Sequence, residues 1–128
     1  MTDLEGTNGE TGLEVAVIGM AGRFPGAPDL DTYWNNLKNG VESITFFTDE
    51  ELEEAGIDPQ LTGHPNFVPA GSVLENFDCF DAAFFDYTPA EAEIMDPQLR
   101  VFHEITWNAL ENAGIDPYRY EKSIGLYA

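Results

Sequence analysis

Thiol and imidazole chemistry in this chain rests on three residues, Cys79, His64 and His103. A cysteine becomes a nucleophile when a base or a nearby positive charge favours its thiolate. Cys79 stands in Phe77-Asp78-Cys79-Phe80-Asp81, where flanking carboxylates and apolar surroundings oppose that form and no basic residue adjoins it. It reads as a structural cysteine. His64 lies in a Gly63-His64-Pro65 loop, and His103 on a long helical stretch beside Glu104, where a packed, hydrogen-bonded imidazole is expected. No spacing joins the three into a Cys/His pair. Two scattered histidines do not supply the convergent ligands a metal needs. The loop Gly19-Met20-Ala21-Gly22-Arg23-Phe24-Pro25-Gly26 sits between an apolar run and a helix, where a phosphate loop would be. Its spacing is neither G-x-G-x-x-G nor G-x-x-x-x-G-K-[ST], and it has no lysine or serine for a phosphate. Arg23 is expected to anchor this loop on a carboxylate, and Arg100 to be a buried ion-pair partner. The residues therefore point to no catalytic, cofactor-binding or metal-binding side chain.

The elements that would position these groups follow from periodicity and punctuation. Residues 1–13 are rich in Gly, Thr and acids and read as a disordered leader or linker. Glu14 to Met20 is apolar throughout, as a buried strand is. Asp29 is a plausible N-cap for a helix carrying Leu30, Tyr33, Trp34 and Leu37, with Gly40 as its stop. Thr48 with Glu51 and Thr88 with Glu91 are capping boxes, the first opening a short helix that ends at Gly56. Phe67 to Leu74, broken by Pro69 and Gly71, suits an edge or irregular strand. The aromatic and acidic residues of Phe77 to Tyr87 read as core anchors for a loop. Asp96-Pro97 starts a longer helix to Ala113, apolar on more than one face and therefore expected to be largely buried, with Gly114 as its stop. Ser123 to Ala128 is a further strand. Strands bracketing helices argue for α/β architecture with a largely parallel sheet. About three strands and one many-sided helix are too few to cover such a sheet on both faces, so this looks like part of a larger domain.

The chain has 128 residues, 24 acidic against 5 basic, for a net charge of -19. That surface repels nucleic-acid backbones and anionic membranes. No apolar run reaches the ~20 residues of a membrane helix, and there is no secretory signal pattern. A lone cysteine excludes an internal disulfide framework. Cytoplasmic residence is the expectation.

Two blocks in order carry a wider pattern. AVIGMAGRFPGAPDLDTYWNNLKNGVESI resembles the opening of the β-ketoacyl synthase (ketosynthase) domain of modular polyketide synthases, where a strand, G-M-x-x-R-x-P-G-A and a helix ending in N-G follow one another. Trp34, Leu37, Asn39 and Gly40 fit that form. FVPAGSVLENFDCFDAAFFDYTPAEAEIMDPQLRVFHEITWNALENAGIDP is similar to the family's next block, and SIGLYA to the strand after it. The wording DPQLR and FHE is nearest to ketosynthases of polyketide synthases, including hybrids with nonribosomal peptide synthetases. The resemblance spans about residues 14 to 128.

That resemblance implies the N-terminal part of a thiolase-like fold, layered α-β-α-β-α and incomplete in this chain, normally a homodimer. It implies a parent enzyme that takes an acyl chain from the phosphopantetheine of an acyl carrier protein onto a cysteine in a T-A-C-S-S context. The parent then condenses that chain with a malonyl-type extender after decarboxylation. T-A-C-S-S does not occur in this sequence, so Cys79, His64 and His103 match no catalytic position, and the segment alone is expected to be inactive, with no cofactor of its own. Its expected partners are the remainder of the ketosynthase, a second ketosynthase and the carrier protein. Leu99 departs from the family's usual D-P-Q-Q-R, and Cys79 stands where an apolar residue is more usual. A non-catalytic assembly module is the competing reading, because exposed apolar surface favours association. A small nucleotide-binding α/β protein is the third, and the loop chemistry above argues against it.

Overall fold

The computed structural model describes residues 13–128. The expected leader over 1–13 thus lies outside the described residues, except for Leu13. The elements in chain order are α1 (Leu30–Asn39), β1 (Thr45–Phe46), α2 (Asp49–Glu54), α3 (Pro59–Thr62), β2 (Ala70–Gly71), α4 (Pro89–Ile94) and α5 (Pro97–Asn112).

Helix boundaries fall where the caps place them. The Asp29 side chain accepts from the Thr32 N–H at 2.7 Å, and Gly40 closes α1 at φ 62°, a left-handed conformation that favours glycine. Both capping boxes form: the Thr48 and Thr88 side chains accept from the N–H groups of Glu51 and Glu91, whose carboxylates accept in return from the N–H groups of Thr48 and Thr88. Asp96 accepts from the Gln98 N–H at 2.8 Å, with Pro97 as the first residue of α5. Sequence reasoning missed α3, although Asp58-Pro59 repeats the same cap-then-proline signal.

Hydrogen bonds from Thr88, backbone first and hydroxyl second, hold the Glu91 carboxyl below the usual carboxylate range. The Asp29 carboxyl is lowered in the same way by Thr32. A carboxyl depressed in the folded state contributes stability above its unfolded pKa, and that stability is lost as pH falls through the folded value. Thr88→Ala is expected to cost about 1 kcal/mol near neutral pH. It should also reduce the loss of stability on acidification, read from urea unfolding across the acid range. An acid limb identical to wild type would show that the Thr88 box contributes none of it.

The strands are where expectation and structure part. Among the described residues the strands expected over Glu14 to Met20 and Ser123 to Ala128 are not formed; the one sheet there is antiparallel and two-stranded. In it Thr45 faces Gly71 and Phe46 faces Ala70. Sequence reasoning did not anticipate β1, and β2 is a short piece of the irregular strand expected over 67–74. An apolar run marks a segment that can pair; it does not name the neighbour that supplies the bonds. Here both runs line one groove along α5. They are not buried either: Val15 is 91 % exposed and Val17 77 %.

Burial of α5 is likewise less than expected. Among its residues only Val101 is buried, and most of the others are half-buried. The loop 77–87 covers one side with aromatic rings, Phe84 meeting Trp107 edge-on at 4.9 Å. The extended segments cover another side incompletely. The buried apolar side chains of the described residues are Ala27, Leu52, Ala92 and Val101, all small except leucine. Phe77 and Phe84, expected as core anchors, are about half exposed.

Candidate functional site

Arg23 is the centre of the polar structure. It leaves the glycine loop, where Phe24 and Ala27 exchange two backbone hydrogen bonds of 2.8 and 2.9 Å around Pro25-Gly26. Gly26 takes φ 66°, which the turn requires and a Cβ would strain. The loop is fixed to α1 by Phe24 stacked on Tyr33 at 4.0 Å and by the Asn36 side-chain amide donating to the Gly26 carbonyl at 2.9 Å. From this platform Arg23 Nη1 donates to Glu104 Oε2 on α5 at 2.5 Å, and Nη2 donates to the carbonyls of Glu75 and Asn76 at 2.7 and 3.1 Å. The two charged side chains are only 17 % and 25 % exposed, so water screens the pair weakly. The expected loop anchor is therefore present, and its partner is Glu104. One guanidinium ties the glycine loop, the 75–76 turn and α5 together.

His103, one residue before Glu104, organises the aromatic loop. Its Nδ1 lies 2.7 Å from the Leu99 carbonyl. A carbonyl only accepts, so Nδ1 carries the proton, and in the neutral ring Nε2 accepts from the Tyr87 hydroxyl at 3.3 Å. Phe80, Phe85 and Tyr87 surround the imidazole with centroids 5.7 to 6.3 Å away. This is the packed, hydrogen-bonded histidine that its place on the helix implies. His64 is exposed, and its Nδ1 accepts from the Asn66 N–H two residues on.

Cys79 is exposed, contrary to the apolar surroundings its neighbours suggest, while the adjacent Phe80 ring meets His103 of α5. It borders a cavity of about 450 Å³ with Arg23, Phe24 and Glu104. Its Sγ contact is Asp78 Oδ1 at 3.8 Å. Neither histidine has a recorded contact with it. Among the described residues no three His, Cys, Asp or Glu side chains converge as a metal site. Arg100 corrects another expectation: its hydrogen bond runs from Nη1 to the Asp78 carbonyl at 3.3 Å, and among the described residues no carboxylate forms an ion pair with it. Asp78 is used elsewhere, its carboxylate turned toward Cys79.

The other feature of note is an open apolar groove of about 480 Å³, floored by Ile105, Ala109 and Ala113 of α5 and walled by Val17, Ile18 and Ile124. Gly19 lets its wall approach: a Cβ there would stand 2.6 Å from the Ala109 carbonyl oxygen and 2.9 Å from the Ala113 nitrogen. Asn112 completes the junction, its side-chain oxygen accepting from the Met20 N–H at 3.0 Å. Sequence reasoning passed over Asn112. No helix among the described residues is long and apolar enough to cross a membrane.

Comparison with known proteins gives one answer. The profile of the "Beta-ketoacyl synthase, N-terminal domain" family matches residues 13–128. A phenolphthiocerol/phthiocerol polyketide synthase of Mycobacterium tuberculosis is 46% identical over 113 residues, covering 88% of this chain and 8% of that protein. Polyketide synthase PksN of Bacillus subtilis is 47% identical over 100 residues, 78% of this chain and 2% of that protein. The chain thus spans under a tenth of these relatives. Among solved structures, ketosynthase twelve of the bacillaene polyketide synthase of Bacillus amyloliquefaciens superposes with a TM-score of 0.65 at 44% identity, over 75% of this chain and 17% of that one. The ketosynthase of module 1 of the Bacillus amyloliquefaciens bacillaene synthase gives 0.61 at 51% identity, over 75% and 16%. The mixed α/β structure is accordingly the N-terminal part of a thiolase-like fold, and the chain belongs to the β-ketoacyl synthase family, with the ketosynthases of polyketide synthases.

Proposed function

We propose that residues 14–128 serve as the N-terminal segment of a polyketide-synthase ketosynthase, and that their work there is structural. The whole enzyme would take an acyl chain from the phosphopantetheine arm of a carrier protein as a cysteine thioester. It would then join that chain to a malonyl-type extender, whose decarboxylation supplies the attacking carbanion. In this reading the thioester-forming cysteine is none of the residues described above: Cys79, His64 and His103 are structural, and the segment binds no cofactor. A cytoplasmic enzyme working as a homodimer with a carrier protein fits the same reading.

The observation that carries this proposal is the pairing of a strong polar frame with an unfinished apolar surface. Arg23 joins three stretches of chain, with its bond to Glu104 part-buried, yet the groove along α5 leaves Val17, Ile18 and Leu126 mostly exposed. Large exposed apolar patches mark interaction surfaces. The remainder of a ketosynthase is the partner that the relatives' greater length suggests.

The experiment is to read and express the coding sequence beyond residue 128, then supply an acyl carrier thioester and a malonyl carrier thioester. A T-A-C-S-S cysteine, a β-ketoacyl product and release of carbon dioxide are the expected results. A folded extended protein that neither takes the acyl group nor condenses it would overturn the proposal and favour an assembly module.

A further inference from the structure

We infer that the cleft at the C-terminal end of α5 binds a small organic cation of the quaternary-ammonium class, between the rings of Trp107 and Tyr118 and beside the carboxylates of Glu111 and Asp116. An open cavity of about 560 Å³ there is bordered by these four side chains and by the apolar Leu110 and Ile115. Its shape follows from the way the helix stops. Gly114 takes φ 69°, and the Ile115 N–H donates back to the Leu110 carbonyl at 2.9 Å. The Asp116 side chain then accepts from the Tyr118 N–H at 2.9 Å. This brings the Tyr118 ring to 6.2 Å from the Trp107 ring, tilted by 52°.

An aromatic face carries negative potential and attracts a cation placed over it. The chain already makes one such contact, on α1. Lys38 stands four residues after Trp34, and its ammonium lies 5.7 Å from that ring. On α5 the residue four after Trp107 is Glu111, on the same helix face. The last turn of α5 holds no basic residue, although the negative end of the helix dipole favours a cation there. Among the described residues the Glu111 carboxylate is in no ion pair. Asp116 meets Arg119 at 3.4 Å, but both side chains are exposed and water screens that pair. Two rings, a carboxylate and a helix end thus favour positive charge at one place. The apolar lining suits methyl groups around that charge. A metal ion needs several converging oxygen ligands, and among the described residues no three acidic, His or Cys side chains converge. The carboxylates also disfavour a cation that carries a phosphate. The site is built from this chain's own residues and does not depend on the proposed function.

The test is nitrogen–proton NMR of the two tryptophan indole N–H groups of the 128-residue chain, as choline chloride replaces sodium chloride at constant ionic strength. The Trp107 signal should move saturably, while Trp34, already faced by Lys38, holds still. Dimethylbutanol, the uncharged carbon isostere of choline, should bind at least about fivefold more weakly, and so should phosphocholine. Tyr118→Leu, at an exposed position, should weaken choline binding about fivefold. Glu111→Lys sets a lysine four residues after Trp107, as Lys38 follows Trp34, and should weaken it about tenfold or more. A base in the last turn suits the helix, so that variant should fold. The inference is overturned by a Trp107 signal that does not move or moves no more than Trp34. It is overturned equally by isostere or phosphocholine binding as tight as choline, or by an unchanged response in either variant.

Discussion

Gly19→Ala is expected to destabilise the chain by about 2–3 kcal/mol, the upper range for forcing a methyl into occupied space. The added Cβ would meet the Ala109 carbonyl oxygen at 2.6 Å, the Ala113 Cβ at 2.8 Å and the Ala113 nitrogen at 2.9 Å. Two of those three atoms are backbone in the last turns of α5, so no rotamer change relieves the clash. The extended segment must lift from the helix, which also breaks the Met20 to Asn112 hydrogen bond. Gly125→Ala is the matched control. Its Cβ would approach only the ring of Tyr127, which is 97 % exposed and free to turn. That change should stay within about 0.5 kcal/mol. Urea midpoints at constant m decide the matter, and a Gly19→Ala midpoint equal to wild type would show that the segment does not lie on α5.

Arg23→Met should cost about 2–4 kcal/mol, somewhat below the loss seen when one partner of a fully buried pair is removed. The reduction reflects side chains that are 17 % and 25 % exposed. Methionine keeps the volume but leaves the Glu104 carboxylate without its cation and the carbonyls of Glu75 and Asn76 without their donor. Arg23→Lys keeps the charge but not the fork, so it should recover only part of the loss, since one ammonium does not reproduce three bonds fixed in direction. Urea unfolding of the three proteins gives the order. Equal stability for wild type and Arg23→Met would show that the polar frame does not hold these segments together.

What the sequence made legible divides along physical lines. Caps are local: Thr48, Thr88, Asp96 and Asp29 each satisfy an N–H two or three residues away, so side-chain type and spacing suffice. The charge of Arg23 among acids implied a carboxylate partner. That the partner is Glu104, 81 positions away, is a tertiary fact with no local signature. The same logic failed at Arg100, because an abundance of acids in the sequence says nothing about which of them reach a given guanidinium. The strands failed for a related reason. Glu14 to Met20 and Ser123 to Ala128 have strand composition, but a ladder is a property of two segments. β1, only two residues long, had too little pattern to read. The many-sided apolarity of α5 was legible too, and it described the surface the helix offers more than the cover it has here.

The family emerged from motif order, and the site residues from what the motifs lack. Cys79 reads as structural from its acidic neighbours; in the structure it is exposed, with its sulfur 3.8 Å from the Asp78 carboxylate.

On the proposed function, residues 14–128 form a structural part of a ketosynthase and carry none of its covalent chemistry. Intact-mass measurement after incubating the 128-residue chain with an acyl carrier protein thioester tests it most directly. An unchanged mass is the predicted result. A stable acyl adduct on Cys79, lost in Cys79→Ser, would contradict it.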